Sequence, residues 1–322
     1  MAGAGSDAVM GALLGALVGD CIGAPYEGGR SVGLAGGRRR VSRALARGDR
    51  RGPVAGEAGF RPLLAYTDDT QLTLALVDHL VDDDARVEPR LLARRMLARY
   101  EPHRGYGPGM RRLVELWRHG HDVESAATAV FPDGSFGNGA AMRVAPVGLL
   151  WAGRPAELTA AAVRSAQVTH AHPVGIDGAV VVAHAVALAA ADRRFALSDL
   201  ARLPTDTTEL GEGLAAAAQV DRDTAPASVA ALLGTAPTAH RSVPAALWCA
   251  AVSADVEECV TRAVAFGGDT DTIASMAAAV RGAAGGACAM PPAWTAVLEG
   301  HDVVIEAAGR LSAVALADVG DG

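Results

Sequence analysis

Apolar positions along this chain recur at helical spacing almost everywhere, and no stretch alternates with a period of two. Gly11 and Gly15 in the first apolar run, Met10 to Val18, and Gly19 just after it recur at intervals of four, so these glycines share one face of a first helix. A glycine inside a helix costs roughly 1 kcal/mol against alanine, and close approach of a second helix is the gain that would offset it. Further helices are predicted over Leu72–Val81, Pro89–Tyr100, Met110–His119, Ala156–Thr169 and Ile176–Ala191. The carboxy-terminal half adds Gly213–Val220, Val243–Ala251, Val256–Ala265, Ile273–Gly282 and Trp294–Leu316. From Gly28 to Arg61 periodicity gives way to glycine and arginine, predicting a long loop with a short helix around Ser42–Arg47. Another loop is predicted to end at Phe131, Pro132, Asp133 and Gly134. Strands do not alternate with helices and no segment reads as a linker. The expected architecture is one all-α domain over residues 1–322.

Composition narrows the picture. Of 322 residues, 50% are apolar and 20% charged, which excludes a disordered chain, while 4% aromatics disfavour a β-sandwich or barrel. The interior must be filled by alanine and glycine. The net charge of −7 argues against a nucleic-acid binder, although Arg38, Arg39, Arg40, Arg50 and Arg51 make one loop locally basic. Cys21, Cys249, Cys259 and Cys288 are scattered without Cys-x-x-Cys pairing, as expected of buried thiols in a reducing compartment. No leader stands out at the amino terminus. The longest apolar run, Gly178–Ala191, holds His184 and is too short for a bilayer. A cytoplasmic protein without a membrane segment is expected.

Two acidic segments carry the chemistry. Tyr66-Thr67-Asp68-Asp69-Thr70 leads into the helix at Leu72, and Gly267-Gly268-Asp269-Thr270-Asp271-Thr272 leads into the helix at Ile273. Either one alone could be a helix cap. A cap, however, needs one carboxylate or hydroxyl, not two of each. Convergence of four aspartates would require a strong cation, and a shell of carboxylates and hydroxyls suits a hard ion such as Mg²⁺ or Mn²⁺. Two half-sites would accommodate two ions, able to orient a diol and activate a water. Glu27 follows Pro25 where the first helix gives way to the loop, and by itself is an ordinary surface glutamate.

The combination Gly19-Asp20-x-x-Gly23-x-x-Tyr26-Glu27, Tyr66-Thr67-Asp68-Asp69-Thr70 and Gly267-Gly268-Asp269-Thr270-Asp271-Thr272 resembles the ADP-ribosylglycohydrolase family, in order and over the whole chain. The resemblance implies an orthogonal helical bundle with a central dinuclear metal cleft. It implies that Thr67, Asp68 and Asp69 bind one ion, that Asp271 bridges both, and that Asp269 and Thr272 complete the second. Glu27 would be a mobile glutamate approaching that second ion, a catalytic candidate with Asp68 and Asp69.

Arg104-Gly105-Tyr106-Gly107-Pro108-Gly109, Gly134-Ser135-Phe136-Gly137-Asn138-Gly139 and Thr169-His170-Ala171 resemble the branch that cleaves serine-linked ADP-ribose and poly(ADP-ribose). There, Gly134, Ser135, Phe136, Gly137 and Asn138 would cradle the diphosphate and distal ribose, and His170 would border the same pocket. Gly107 and Phe131 would also touch substrate, Phe131 by stacking on adenine. The glycines of the loop would bring backbone close to a phosphate. Of His170, His172 and His184, His170 is ranked first because it ends a helix and matches the motif. The implied substrate is an ADP-ribosylated protein or an ADP-ribose-containing small molecule such as O-acetyl-ADP-ribose, cleaved at the anomeric carbon of the distal ribose by a monomer using two divalent cations, Mg²⁺ ahead of Mn²⁺. Release from arginine is the alternative within the family, and a non-catalytic relative is the alternative outside catalysis.

Overall fold

A computed structural model of the protein describes residues 3–48, 64–83 and 85–317. Its first helices are α1 (Ser6–Gly23), α2 (Leu34–Gly48), α3 (Asp68–Asp82), α4 (Pro89–Arg99), α5 (Pro108–Arg118), α6 (Val123–Val130), α7 (Gly139–Met142), α8 (Ala145–Leu150) and α9 (Pro155–Gln167). They continue with α10 (Pro173–Asp192), α11 (Leu197–Leu200), α12 (Thr208–Ala218), α13 (Pro226–Leu233), α14 (Ala239–Val252), α15 (Val256–Phe266), α16 (Thr270–Gly285), α17 (Pro292–Thr295) and α18 (His301–Ala317). No strand occurs among the described residues, so the fold is all-α as expected.

The centre is the helix pair α1 and α16, the most extensive packing in the molecule. Every residue of α1 from Gly11 to Gly23 is buried, the state of a helix apolar on all sides. The glycine face explains how the two backbones meet. A Cβ on Gly11, Gly15 or Gly19 would collide with the carbonyl oxygens of Gly282, Ala278 and Ala274, one turn apart along α16. Gly23 extends the series, and a Cβ there would lie 2.6 Å from the Cα of Asp271. Small residues thus set the spacing of the core and, at one end of the seam, the position of an acidic segment.

By length and composition, α1 extended to Tyr26 and α10 could each cross a membrane, and 83% and 78% of their most apolar windows lie buried inside the protein. The 20-residue length of α10 corrects the expectation that its apolar run falls short of a bilayer. Buried apolar side chains from α1 through α18 form one continuous cluster, which includes Cys21, Cys249 and Cys259. Cys288 is exposed.

Several elements differ from the sequence expectation. Arg38, Arg39 and Arg40 lie in helix α2, not in a loop, because Val41 and Ala44 are buried and Gly37 packs against the backbone of Thr261 in α15. Arg50 and Arg51, with the rest of 49–63, lie outside the described residues. Helix α6 replaces much of the loop expected before Phe131, with Asp122 capping it by accepting from the Glu124 amide at 3.2 Å. The expected helix Trp294–Leu316 is broken into α17 and α18. Gly300, at φ +77°, turns the chain between them, and a side chain there would strike the Tyr66 ring. Helix α14 starts at Ala239 and contains Pro244, whose ring lies where a Cβ on Gly213 would be.

Candidate active site

Both acidic segments start helices, and both helices point into one cavity of about 500 Å³. Thr67, Asp68 and Asp69 at the start of α3, and Asp269, Asp271 and Thr272 at the start of α16, line one wall with Glu27. Thr272 Oγ1 lies 3.3 Å from Asp69 Oδ2, so residues 203 positions apart in sequence are in hydrogen-bond contact. Glu27, Asp269 and Asp271 each offer a carboxylate oxygen within 4.8 Å of the others. Glu27 is exposed at the end of a 3₁₀ turn, and Asp269 and Asp271 are buried. The backbone after Glu27 is tied to the second segment: the Gly28 amide donates to Gly268 O at 2.8 Å, and the Gly268 amide donates to Gly29 O at 2.9 Å.

These groups are charged like to like. Asp69 sits well above the usual carboxylate range because it is buried and because Asp20, Asp271, Asp68 and Asp269 surround it. Asp271 is raised by burial, then by Asp269 and Glu27. Burial and the nearby Asp20 push Asp68 up to about 7. Asp69 Oδ1 is buried and receives no hydrogen bond among the described residues. An orphaned buried carboxylate oxygen, ringed by further carboxylates and hydroxyls, is the donor set of a hard divalent cation. The residues therefore fit such an ion. The ligands expected from sequence, Glu27, Thr67, Asp68, Asp69, Asp269, Asp271 and Thr272, all face the cavity.

The opposite wall is the glycine loop. Gly107, Phe131, Gly134, Ser135, Phe136, Gly137, Asn138 and His170 all line it. Gly134 has φ +80°, and a Cβ there would overlap the amide of His172, so only glycine brings the loop this close to the start of α10. Ser135 Oγ accepts from the Gly137 amide at 3.2 Å, which leaves its proton for a ligand. Asn138 Nδ2 donates to Asp269 Oδ2 at 2.5 Å and to Ser242 Oγ at 2.9 Å, joining the two walls. Phe131 and Phe136 remain 39% and 49% exposed, large apolar surface left at the cavity. His172 caps α10 and His184 pairs with Thr159 Oγ1 at 2.8 Å, so of the three histidines only His170 lines the cavity.

Three residues that sequence reasoning left without a role build this geometry. Asp20 is fully buried and accepts from the amide and hydroxyl of both Thr67 and Thr70, at 2.6 to 3.1 Å. It fixes the turn that presents Asp68 and Asp69. Arg104 grips Glu299 through both Nη atoms at 2.7 and 3.0 Å, donates to Tyr66 O at 3.1 Å, and lies 3.8 Å over the Tyr66 ring. Its own carbonyl receives the Asp68 amide at 2.8 Å. Arg143 is 1% exposed and lines the cavity beside the glycine loop. All three stand inside the sequence motifs, and that placement was the available signal.

Residues 2–319 match the ADP-ribosylglycohydrolase family. ADP-ribosylhydrolase ARH3 of Bos taurus is 32% identical over 330 residues, covering 91% of this chain and 88% of that protein. The protein of the same name from Homo sapiens is 33% identical over 334 residues, with 91% and 89% covered. YegU of Escherichia coli strain K12, described as uncharacterised, is 29% identical over 91% of this chain and 92% of its own length. Among solved structures, a chain described as an ADP-ribosylglycohydrolase-related protein complex superposes with a TM-score of 0.67 at 25% identity, over 96% of this chain and 98% of that one. With the family matched from end to end and its acidic segments meeting in one cavity, the chain belongs to the ADP-ribosylglycohydrolase family and is a glycosidase-type hydrolase.

Proposed function

We propose that this enzyme is a metal-dependent ADP-ribosylhydrolase that cleaves the O-glycosidic bond at the anomeric carbon of the distal ribose. Serine-linked ADP-ribose, poly(ADP-ribose) or O-acetyl-ADP-ribose would be its substrates. The observation that carries this reading is the cavity with unlike walls: a carboxylate and hydroxyl wall facing a glycine and aromatic wall. The glycine loop would take the phosphates, with Ser135 donating its free proton. Phe131 would stack on the adenine, and Phe136 would lie with the loop along the diphosphate and distal ribose. The distal ribose would then lie against Asp68, Asp69, Asp269 and Asp271, whose negative charge favours an oxocarbenium-like transition state. Asp68 or Asp69, both at the cavity, would orient the attacking water and take its proton. Two divalent cations, Mg²⁺ ahead of Mn²⁺, bound among Glu27, Thr67, Asp68, Asp69, Asp269, Asp271 and Thr272, would supply Lewis acidity and lower the pKa of bound water. The enzyme would act as a monomer.

The deciding assay is release of ADP-ribose from a panel of serine-linked, arginine-linked, polymeric and O-acetyl substrates, each with chelator and with Mg²⁺ restored. Turnover of the O-linked members that disappears with chelator and returns with Mg²⁺ is the expected result. Preference for the arginine linkage would install the alternative, and release unaffected by chelator would remove the metal from the reading.

A stability measurement checks the metal separately. In chelator, folded Asp68 titrates near 7 against 3.8 for the ordinary carboxyl, so between those values the folded state holds a proton that the unfolded chain has released. Its contribution is present below about pH 4 and is lost as pH rises through 7. The melting temperature of metal-free protein should therefore fall between about pH 4 and 7 and level off above that. Mg²⁺ at a hundred times its Kd should add about 2.7 kcal/mol, with the largest rise at the alkaline end. Melting curves that ignore both pH and Mg²⁺ would contradict the assignment.

A further inference from the structure

Arg143 is a cation with almost no contact with water. Its Nη1 donates to Gly139 O at 2.6 Å, and its Nη2 donates to Ser165 O at 3.0 Å and to Thr169 Oγ1 at 2.8 Å. None of these acceptors is charged, and no carboxylate pairs with it among the described residues. Burial pulls its pKa down to about 9, which still leaves it cationic at neutral pH. An unpaired buried charge is costly, and one kept beside a cavity favours an anion within it.

The polarity of the hydrogen-bond chain can be followed atom by atom. A guanidinium only donates, so Thr169 Oγ1 accepts from Arg143. Thr169 is itself buried, and its remaining contact is His170 Nδ1 at 2.7 Å. If Nδ1 carried a proton, the threonine hydroxyl proton would have no acceptor. Nδ1 must then accept, which places the imidazole proton on Nε2. Protonation of both nitrogens is opposed by burial first and by the Arg143 charge second, and together they hold His170 down to about 3. Nε2 has no hydrogen-bond partner among the described residues, and it lies on the side of Gly137 and Gly139, where Cβ atoms would approach it to 3.5 and 3.7 Å. Those glycines keep the space in front of it open.

We propose that Arg143, acting through Thr169, is a positioning residue that holds His170 as a neutral Nε2–H donor aimed at an anionic oxygen of the ligand, the diphosphate of an ADP-ribose unit. The identity of that anion rests on the function proposed above, whereas the direction of the proton chain does not. Arg143 also ties α7 to the end of α9, so its removal could act by loosening the fold. The test therefore changes the middle of the chain.

Nitrogen chemical shifts of the His170 ring report the tautomer directly in ligand-free protein, and titration calorimetry with ADP-ribose reports the affinity. Wild-type protein should show the Nε2–H form at neutral pH. Thr169→Val, which keeps the shape but removes the hydroxyl, should admit the Nδ1–H form and weaken ADP-ribose binding about tenfold, the scale of one hydrogen bond. Thr169→Ser should restore both. Wild-type His170 in the Nδ1–H or doubly protonated form would overturn the proposal, as would Thr169→Val with unchanged tautomer and affinity. Wild-type protein with the Nε2–H form that does not bind ADP-ribose would overturn the proposed substrate and support the proton chain.

Discussion

Asp271→Asn protein should lose turnover by about 10³-fold with Mg²⁺ present, the scale on which removal of one preorganised charge acts in an active site. Asp271 stands at the first turn of α16, buried, between Asp269 and Glu27 on one side and Thr272, which reaches Asp69, on the other. Asparagine keeps the shape but offers one weaker acceptor oxygen, so the wall should lose its grip on a divalent ion. The fold should not suffer. Asp271 is pushed well above its ordinary pKa by burial and by like charges, so ionising it opposes folding. In chelator the variant should therefore melt at or above the wild-type temperature, while the Mg²⁺-induced rise should shrink. Wild-type turnover in this variant would sink the assignment of the acidic wall.

The largest effect on stability is expected at the α1 and α16 seam. Gly15→Ala would set a methyl group onto Ala278 O, with Ala278 C at 2.7 Å, and all of these are helix backbone atoms that cannot turn aside. Alanine should gain about 1 kcal/mol in helix propensity, yet overpacking between rigid backbones should outweigh it and leave a net loss on the order of 3 kcal/mol. Gly309 in α18 is the internal control. It is exposed, nothing would lie within 4 Å of its Cβ, and Gly309→Ala should stabilise by about 0.4–1 kcal/mol. Opposite signs for one chemical change, read from paired denaturant titrations, would confirm that close approach is what the glycine face provides. A Gly15→Ala protein as stable as wild type would show that the seam can yield. Since α16 carries Asp271 at its start, the seam variant should also lose activity.

The long helices were legible because their apolar residues recur over several turns, as in α3, α10 and α16. Where only a turn or two was available, the pattern gave no signal. Helices α7, α8, α11 and α13 are four to eight residues long, and nothing in their composition separates them from alanine-rich connections. Helix α2 was hidden by Gly36, Gly37 and three consecutive arginines, and it forms because α15 offers a surface on which Gly37 can sit. Tertiary packing there overrides propensity.

The site divides in the same way. The residue types of the acidic segments and of the glycine loop were written in the sequence, because the proposed metal ligation and approach to a phosphate would each demand particular side chains at short spacing. The supporting residues were not. What sets Asp20 apart from a surface aspartate is its hydrogen bonding to the amides and hydroxyls of Thr67 and Thr70, and what sets Arg143 apart from any other arginine is burial with no acid partner among the described residues. The sequence by itself determined the helical class, the glycine seam and the chemical character of two short acidic stretches, since these depend on neighbours a few residues apart. Only the tertiary structure decided that Asp69 and Thr272 touch, and that Asp20 and Arg104 brace the acidic wall while Arg143 stands beside the glycine loop. Such contacts join residues up to two hundred positions apart, and their geometry is set by how whole helices pack.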